Sequence, residues 1–507
     1  MHLNACELKN SAAWEKAGFI LPRFDREEMI RISRSGPQWV HFGGGNLFRA
    51  FPAVLAQKLL DSGFMKTGTT VAAGYDGEMI DRVYDAHDNL SVAVTLKADG
   101  SIEKRVVASV AEALRLDRQE HLERMKEIFR SPGLKMASFT ITEKTYSSAP
   151  YMSLVAELLH ERYRAGAFSI AMVSMDNCSH NGDRLLRGLE NRAAVFERGF
   201  LRWIQDPRNV SFPWTMIDKI TPRADEGVRA MLQEAGLEDT VPSLTARGSL
   251  ASPFVNAEET GYLVIEDSFP AGRPPLEEAG VYFCSRDTVD KVEKMKVCTC
   301  LNPLHTALAI FGCLLGYKRI SDEMKNPDLV RLIKKIGYDE GLPAVSDPGI
   351  ISPGTFIDEV VERRFPNPFI PDTPQRIAAD SSQKIPIRFG ETIKAYGAKK
   401  MDTETLTGIP LVLAAWLRYL LGIDDEGNVF SPSPDPCLDE LSRRLEGLKP
   451  GQKGPFASKI RPILEDKRFF AVNLYEAGLG EKTETFFEEL MAGPGAVAAT
   501  LKRHCNR

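Results

Sequence analysis

Two kinds of apolar periodicity divide the chain. Up to about residue 285, short β-branched and aromatic runs alternate with amphipathic helical stretches, whereas beyond it strand signals fade and helical spacing dominates. The run Gln38 to Phe42 reads as a strand, glycines 43 to 45 as a turn, and the pattern from about Asn46 to Asp61 as an amphipathic helix. A second strand is predicted from Thr70 to Gly74, ending at Tyr75-Asp76, and LSVAVTLKADGSIEKRVVAS reads as a hairpin turning at Ala98-Asp99-Gly100. Lys135 to Tyr146 is predicted as a strand and Ser153 to Ala165 as a helix. A continuous apolar strand then closes on Asp176-Asn177, before a loop with His180-Asn181-Gly182 and a further helix. The first thirty residues show no clear period and are expected to form an extension packed on the main body. Helical patterns later cover 297–316, 354–364, 390–397, 405–421, 437–446, 456–464 and 483–491. The expected architecture is an α/β domain over residues 1–285 followed by a mainly α-helical domain over 286–507.

A chain of 507 residues exceeds what one core usually holds, which agrees with two domains. The net charge of −5 supplies no basic field for nucleic acid or an anionic membrane, so a small anionic substrate would need local cations. Eight scattered cysteines without a CxxC pair or a secretory signal read as thiols in a reducing cytoplasm. The Cys298, Cys300 pair lacks a second pair at zinc spacing, so no metal site is expected. No apolar run is read as long enough to span a bilayer.

Two stretches carry candidate chemistry. Gly43, Gly44 and Gly45 allow a tight turn and close approach of backbone to a diphosphate at a helix N-terminus. Position 48 is Phe, so the full GxGxxG spacing is absent, and a plain glycine-rich turn reads equally well. Asp76, at the end of the second strand, is placed to accept hydrogen bonds from an adenosine ribose and to disfavour a 2′-phosphate, although a turn aspartate is an equal reading. The second stretch is KVEKMKVCTCLNPLHTALAIFGCLLGY, residues 291–317. It sets Lys296, Asn302 and His305 on an apolar helix, where burial is costly without partners. Asn302 and His305 are one turn apart and share a face with Ala309 and Gly312 that could admit a ligand. Leu301, Leu304, Leu308 and Leu315 form the core stripe. A hydrogen-bonded core Asn and His is the alternative.

Lys296, Asn302-x-x-His305 and an apolar helix ending in Leu315-Gly316-Tyr317 resemble the active-site helix of the mannitol dehydrogenase family, the polyol-specific long-chain dehydrogenases. GGGNLFRAF is similar to that family's Gly-x-Gly-Asn-Phe-x-Arg-Ala motif at Gly43, Gly45, Asn46, Arg49 and Ala50. Phe48 and Phe51 stand where mannitol dehydrogenases usually have His, which favours the hexuronate-reducing branch. Similar segments follow in the family's order: Glu143-Lys144, Asp176-Asn177 with Asn181-Gly182, Asp218-Lys219, Tyr262 to Pro274, and Arg376 with Lys384 eight residues on.

The resemblance implies a Rossmann-like domain that binds NAD through Phe42, Gly43, Gly44, Gly45, Asn46, Leu47, Asp76, Glu143 and Lys144. It implies Lys296 as general base, with Asn177, Asn302 and His305 on the reacting oxygen and no metal. Asn181, Asp218, Arg376 and Lys384 would hold the substrate. The expected reaction is hydride transfer interconverting a keto-hexuronate and its hexonate, with mannitol and fructose as the alternative pair. A catalytically silent dinucleotide-binding relative is the reading from another class. Glu293, one turn before Lys296, is either a proton relay or a solvated face residue.

One departure matters. In the family pattern four residues separate the lysine from the asparagine, whereas five do here. On an uninterrupted helix, the nine steps from Lys296 to His305, at roughly 100° each, put the two on opposite faces. A π-bulge or a late helix start is therefore predicted within 297–301, where Val297-Cys298-Thr299-Cys300 has poor helix propensity.

Overall fold

A computed structural model describes residues 1–505. It divides into two compact units, one through Asp290 and one from Lys291 onward, with the boundary inside the helix Arg286–Lys294.

The first unit is built on six parallel strands, Trp39–Phe42, Thr69–Ala73, Val110–Arg115, Met136–Phe139, Ile170–Ser174 and Val210–Ser211. Numbered in chain order, they lie side by side as 3-2-1-4-5-6, the doubly wound order whose switch point falls beside Trp39–Phe42. Their near-continuous apolar runs follow from burial on both faces. Gln119–Arg130 and Ala149–Gly166 cover one face, while Pro52–Asp61 and Arg26–Ser35 cover the other. The expected hairpin forms from Ser91–Leu96 and Ile102–Val107. The N-terminal extension is more ordered than its composition suggested, because Phe19–Ile20 adds a parallel edge strand to that hairpin. Phe254–Glu258 extends the same sheet on its other side. A three-stranded sheet of Thr215–Asp218, Tyr262–Glu266 and Tyr282–Cys284 completes the unit.

Two element predictions are corrected. The helix expected from Asn46 to Asp61 is two helices, Asn46–Ala50 and Pro52–Asp61. Pro52 lacks an amide hydrogen and disfavours the helical conformation of Phe51, whose φ and ψ are −133° and −71°. The strand expected through Tyr146 stops at Phe139. There the Thr140 hydroxyl turns to Gly43 carbonyl at 3.2 Å, and residues Glu143–Ser147 wind into a 3-10 turn.

The second unit is helical, centred on the buried helices Asn302–Leu314 and Gly408–Tyr419. Sequence periodicity passed over Pro327–Lys334, Pro374–Ala378, Ser381–Ile385 and Ala496–Cys505. Among the described residues four π-helical segments interrupt it: Met295–Cys300, Lys335–Gly341, Val360–Arg364 and Pro386–Gly390. Only the length reading of the apolar runs is corrected, because the helix Arg286–Leu314 is by length and composition long and apolar enough to cross a bilayer. Since 78% of its apolar 18-residue window is buried inside the protein, it is a core helix.

Candidate active site

In the first unit the three glycines differ in why they are glycine. Gly43 has a φ of +109°, and a Cβ there would lie 2.5 Å from the Thr140 carbonyl oxygen; one at Gly44 would lie 2.9 Å from the Tyr84 ring. At Gly45 nothing stands within 4 Å, so the turn keeps an open side at the switch point. Asn46 is held by Arg49, whose guanidinium donates to Asn46 Oδ1 at 3.1 Å and to the Ser252 carbonyl at 2.6 Å. Leu47 is half-buried against the core. Phe42 stacks on Phe139 with ring centroids 4.8 Å apart and is fully buried, so any ligand contact there is limited to backbone. Asp76 accepts from Thr245 Oγ1 at 2.7 Å. Glu143 and Lys144 are exposed, and Glu143 pairs with Arg184 at 2.5 Å.

At the end of Ile170–Ser174, Asn177 is exposed, whereas Asn181 is fully buried. The Asn181 amide donates to Thr215 Oγ1 at 2.9 Å and to the Ser174 and Asp176 carbonyls at 3.3 Å each, while its oxygen accepts from Thr215 N at 3.0 Å. These bonds all go to scaffold groups, so Asn181 ties the end of Ile170–Ser174 to the start of Thr215–Asp218 beside the loop carrying Asn177. Asp176, its neighbour, accepts from Tyr146 and from Cys178 N, and burial raises its carboxyl above the usual range. Asp218 is buried at the end of Thr215–Asp218.

In the second unit Lys296 lies half-buried in the π-helical segment Met295–Cys300. The Leu301 amide donates to the Lys296 carbonyl, five residues back, at 3.2 Å. Pro303 has no amide hydrogen to return to Thr299, and the Cys298 carbonyl accepts from Thr392 Oγ1 at 3.0 Å. The wide turn takes up the additional residue. Nine positions then rotate like about eight, which brings Lys296 from the far side to within about 80° of His305.

His305 packs on Phe365, with ring centroids 5.1 Å apart. Its Nε2 is buried and lies 3.4 Å from Asp372 Oδ2, but the pair is not aligned as a hydrogen bond, so that nitrogen has no hydrogen-bond partner. Asp372 is also paired with the Arg376 guanidinium. Arg388 donates from Nη1 to Thr306 Oγ1 at 2.5 Å and approaches the Asn302 carbonyl at 3.5 Å. Lys384 donates to the carbonyls of Ala379 at 2.5 Å and Ile377 at 3.2 Å. Burial first, and then Arg388, Arg376, Arg364 and Lys384, hold the His305 imidazole down at about 3, so it is neutral near pH 7. Burial alone lowers Arg388 to about 10. Among the described residues no carboxylate comes within ion-pair reach of Arg388 or Lys384. Asn302 and His305 thus border a corner with more cations than anions.

The other half of the expected ligand face is closed. A Cβ on Gly312 would collide with the buried Glu323 carboxyl and lie 3.0 Å from Pro374, so this glycine serves helix packing. Arg388 and Asp372 were missed in the sequence. Arg388 lies four residues after Lys384, a helical spacing that could have flagged it.

The profile of the mannitol dehydrogenase Rossmann domain matches residues 37–278, and that of the mannitol dehydrogenase C-terminal domain matches residues 288–489. The chain belongs to the mannitol dehydrogenase family. The family's two domains account for both units, and the chain is an oxidoreductase of that family. It is 48% identical to the D-mannonate oxidoreductase of Thermotoga maritima, over 100% of this chain and 99% of that protein. It is 29% identical to the mannitol 2-dehydrogenase of Cereibacter sphaeroides, over 84% and 88%. Among solved structures, the substrate-free D-sorbitol dehydrogenase matches with a TM-score of 0.77 at 23% identity, covering 96% of this chain and 98% of that one. The Pseudomonas fluorescens mannitol 2-dehydrogenase complex with NAD and D-mannitol matches with a TM-score of 0.69 at 24% identity, covering all of both chains. These structural likenesses establish the fold.

Proposed function

We propose that the protein interconverts a keto-hexuronate and its hexonate, fructuronate and mannonate first among them, using NAD. The observation that carries this reading is the corner beside Asn302 and His305, where among the described residues no carboxylate comes within ion-pair reach of Arg388, while Lys384 feels Asp380 and Asp435 only from further off. A half-buried guanidinium with no carboxylate at ion-pair distance is under-compensated, and a substrate carboxylate would supply charge-assisted hydrogen bonds to it. A polyol offers no such charge. The full-length likeness to a D-mannonate oxidoreductase supports the same choice.

The first unit fits a dinucleotide: an open glycine turn at the switch point and a carboxylate at the end of the next strand suit a diphosphate and a ribose. When bound, NAD supplies the acceptor for the hydride. Hydride leaves carbon only as the adjacent hydroxyl loses its proton. Lys296 takes that proton. Asn302 donates from its amide and His305, neutral, from one ring N–H to the oxygen as negative charge develops on it. The family motif assigns Asn177 to the same oxygen. Arg376, already bound to Asp372, orients that carboxylate beside His305. Asp76 favours NAD over NADP.

The test is oxidation of NADH and NADPH with fructuronate, tagaturonate and fructose. Turnover of a keto-hexuronate with NADH well above that of fructose is expected. Equal turnover of fructose would move the assignment to a polyol dehydrogenase, and no turnover with intact NADH binding would favour the silent relative.

A further inference from the structure

Tyr75 is a large aromatic side chain that remains 67% exposed in the loop directly after Thr69–Ala73, one residue before Asp76. Its ring is not bare. The Arg247 guanidinium lies over it, 4.5 Å from the ring centroid. Arg247 arrives from far along the chain, at the tip of a small hairpin formed by Ser243–Leu244 and Leu250–Ala251. The tip is a closed turn: the Gly248 amide donates to the Thr245 carbonyl at 2.9 Å, and Gly248 has a φ of +78°. It is also docked. Thr245 Oγ1 donates to Asp76 Oδ2 at 2.7 Å, and Ala246 N donates to Glu78 Oε2 at 3.2 Å. Below Tyr75 the backbone is seated closely, since a Cβ on Gly74 would lie 3.1 Å from the Tyr151 ring.

An exposed tyrosine stacked on an arginine is a flat surface that can take another flat group. Its place in the fold decides which. The loop after the second strand of a doubly wound sheet borders the adenosine end of a bound dinucleotide, beside the carboxylate that receives the ribose. We propose that Tyr75 and Arg247 form the adenine clamp of this protein, with the hairpin tip tying the clamp to Asp76. The inference rests on the reading that the first unit takes NAD. Purines stack on aromatic rings and guanidinium planes without needing a particular hydrogen-bond pattern, so the pair supplies affinity, while Asp76 supplies the choice at the ribose.

The experiment compares NADH with reduced nicotinamide mononucleotide, which lacks the adenosine, by fluorescence titration of the full-length protein. Tyr75→Ala is expected to weaken NADH binding about tenfold and to leave the mononucleotide unchanged, with Tyr75→Phe close to wild type. Arg247→Ala is expected to weaken NADH by roughly threefold, again without effect on the mononucleotide. Tyr75→Ala that binds NADH as the wild type does, or that loses both ligands by the same factor, would overturn the clamp while leaving the cofactor reading intact. Wild-type protein that binds no NADH would remove the cofactor reading itself, and the clamp with it.

Discussion

Two histidines, one in each unit, share the same protonation behaviour for different reasons. His41 lies inside the parallel sheet with both ring nitrogens bonded, to Ser138 Oγ at 2.7 Å and Thr140 Oγ1 at 2.8 Å, and its ring stacked on Phe48. His305 has an unbonded Nε2 and a set of cations around it. Burial is the first cause in both cases and holds each at about 3. A depressed value therefore does not mark a site. What separates them is satisfaction: the first histidine has spent its hydrogen bonds on the fold, and the second has kept one.

The largest expected effect tests whether the helical unit carries the chemistry. Lys296→Ala should lower turnover by about 10³-fold while NADH affinity stays within about twofold. Turnover close to wild type would place the base elsewhere.

Exchanging the histidines one at a time breaks the comparison directly. His305→Asn should lower kcat by about 10²-fold with a melting temperature near wild type. His41→Asn should keep kcat and lose about 1–3 kcal/mol of stability in urea titration, because it leaves buried hydroxyls short of a partner. Equal losses of activity in both variants would mean that satisfaction does not distinguish them.

Arg388→Met sharpens the comparison by removing a cation rather than the histidine. Loss of a charge-assisted bond of about 1.5–3 kcal/mol should raise KM for a keto-hexuronate ten- to a hundredfold, while fructose, having no carboxylate, changes little. Uniform effects on both substrates would reduce Arg388 to a tether for Thr306.

The smallest effect is a pH slope. Both histidines titrate near 6.5 unfolded and near 3 folded, so between those values the unfolded chain binds protons that the folded one refuses. Stability should fall as pH drops through that window, by about 1.4 kcal/mol per pH unit for each histidine, and owe nothing to them above it. Urea titrations from about pH 7 to about pH 4 should show a shallower slope for His41→Asn. Parallel slopes would show that the sheet histidine takes up its proton when folded.

The central parallel strands were legible because they are buried on both faces, so that runs such as Ile170–Ser174 are almost wholly apolar; the strands Val110–Arg115 and Val210–Ser211 and the strand order were not. The break at Phe51-Pro52 was hidden, since apolar positions keep helical spacing straight across it. The end of the strand at Phe139 was hidden too, because Thr140 and Ile141 are good strand formers and only the Gly43 turn shows where the Thr140 hydroxyl is needed. At the site, Lys296, Asn302 and His305 stood out as polar residues on an apolar helix. Arg388 did not, because in sequence it looks like any surface cation. Asn181 had the motif's identity, but only the three-dimensional structure shows that Thr215 and two carbonyls use up its amide.

The wide turn at Met295–Cys300 changes how length should be counted along this helix. It stores one residue as girth, so the segments before and after it keep the bearings they would have in a chain one residue shorter. A pattern search that fixes the gap between lysine and asparagine would pass such a chain by, although both side chains can still be presented together. Removing one residue among 298–300 should narrow the turn and cost less than a deletion in Asn302–Leu314, where every residue is needed for register.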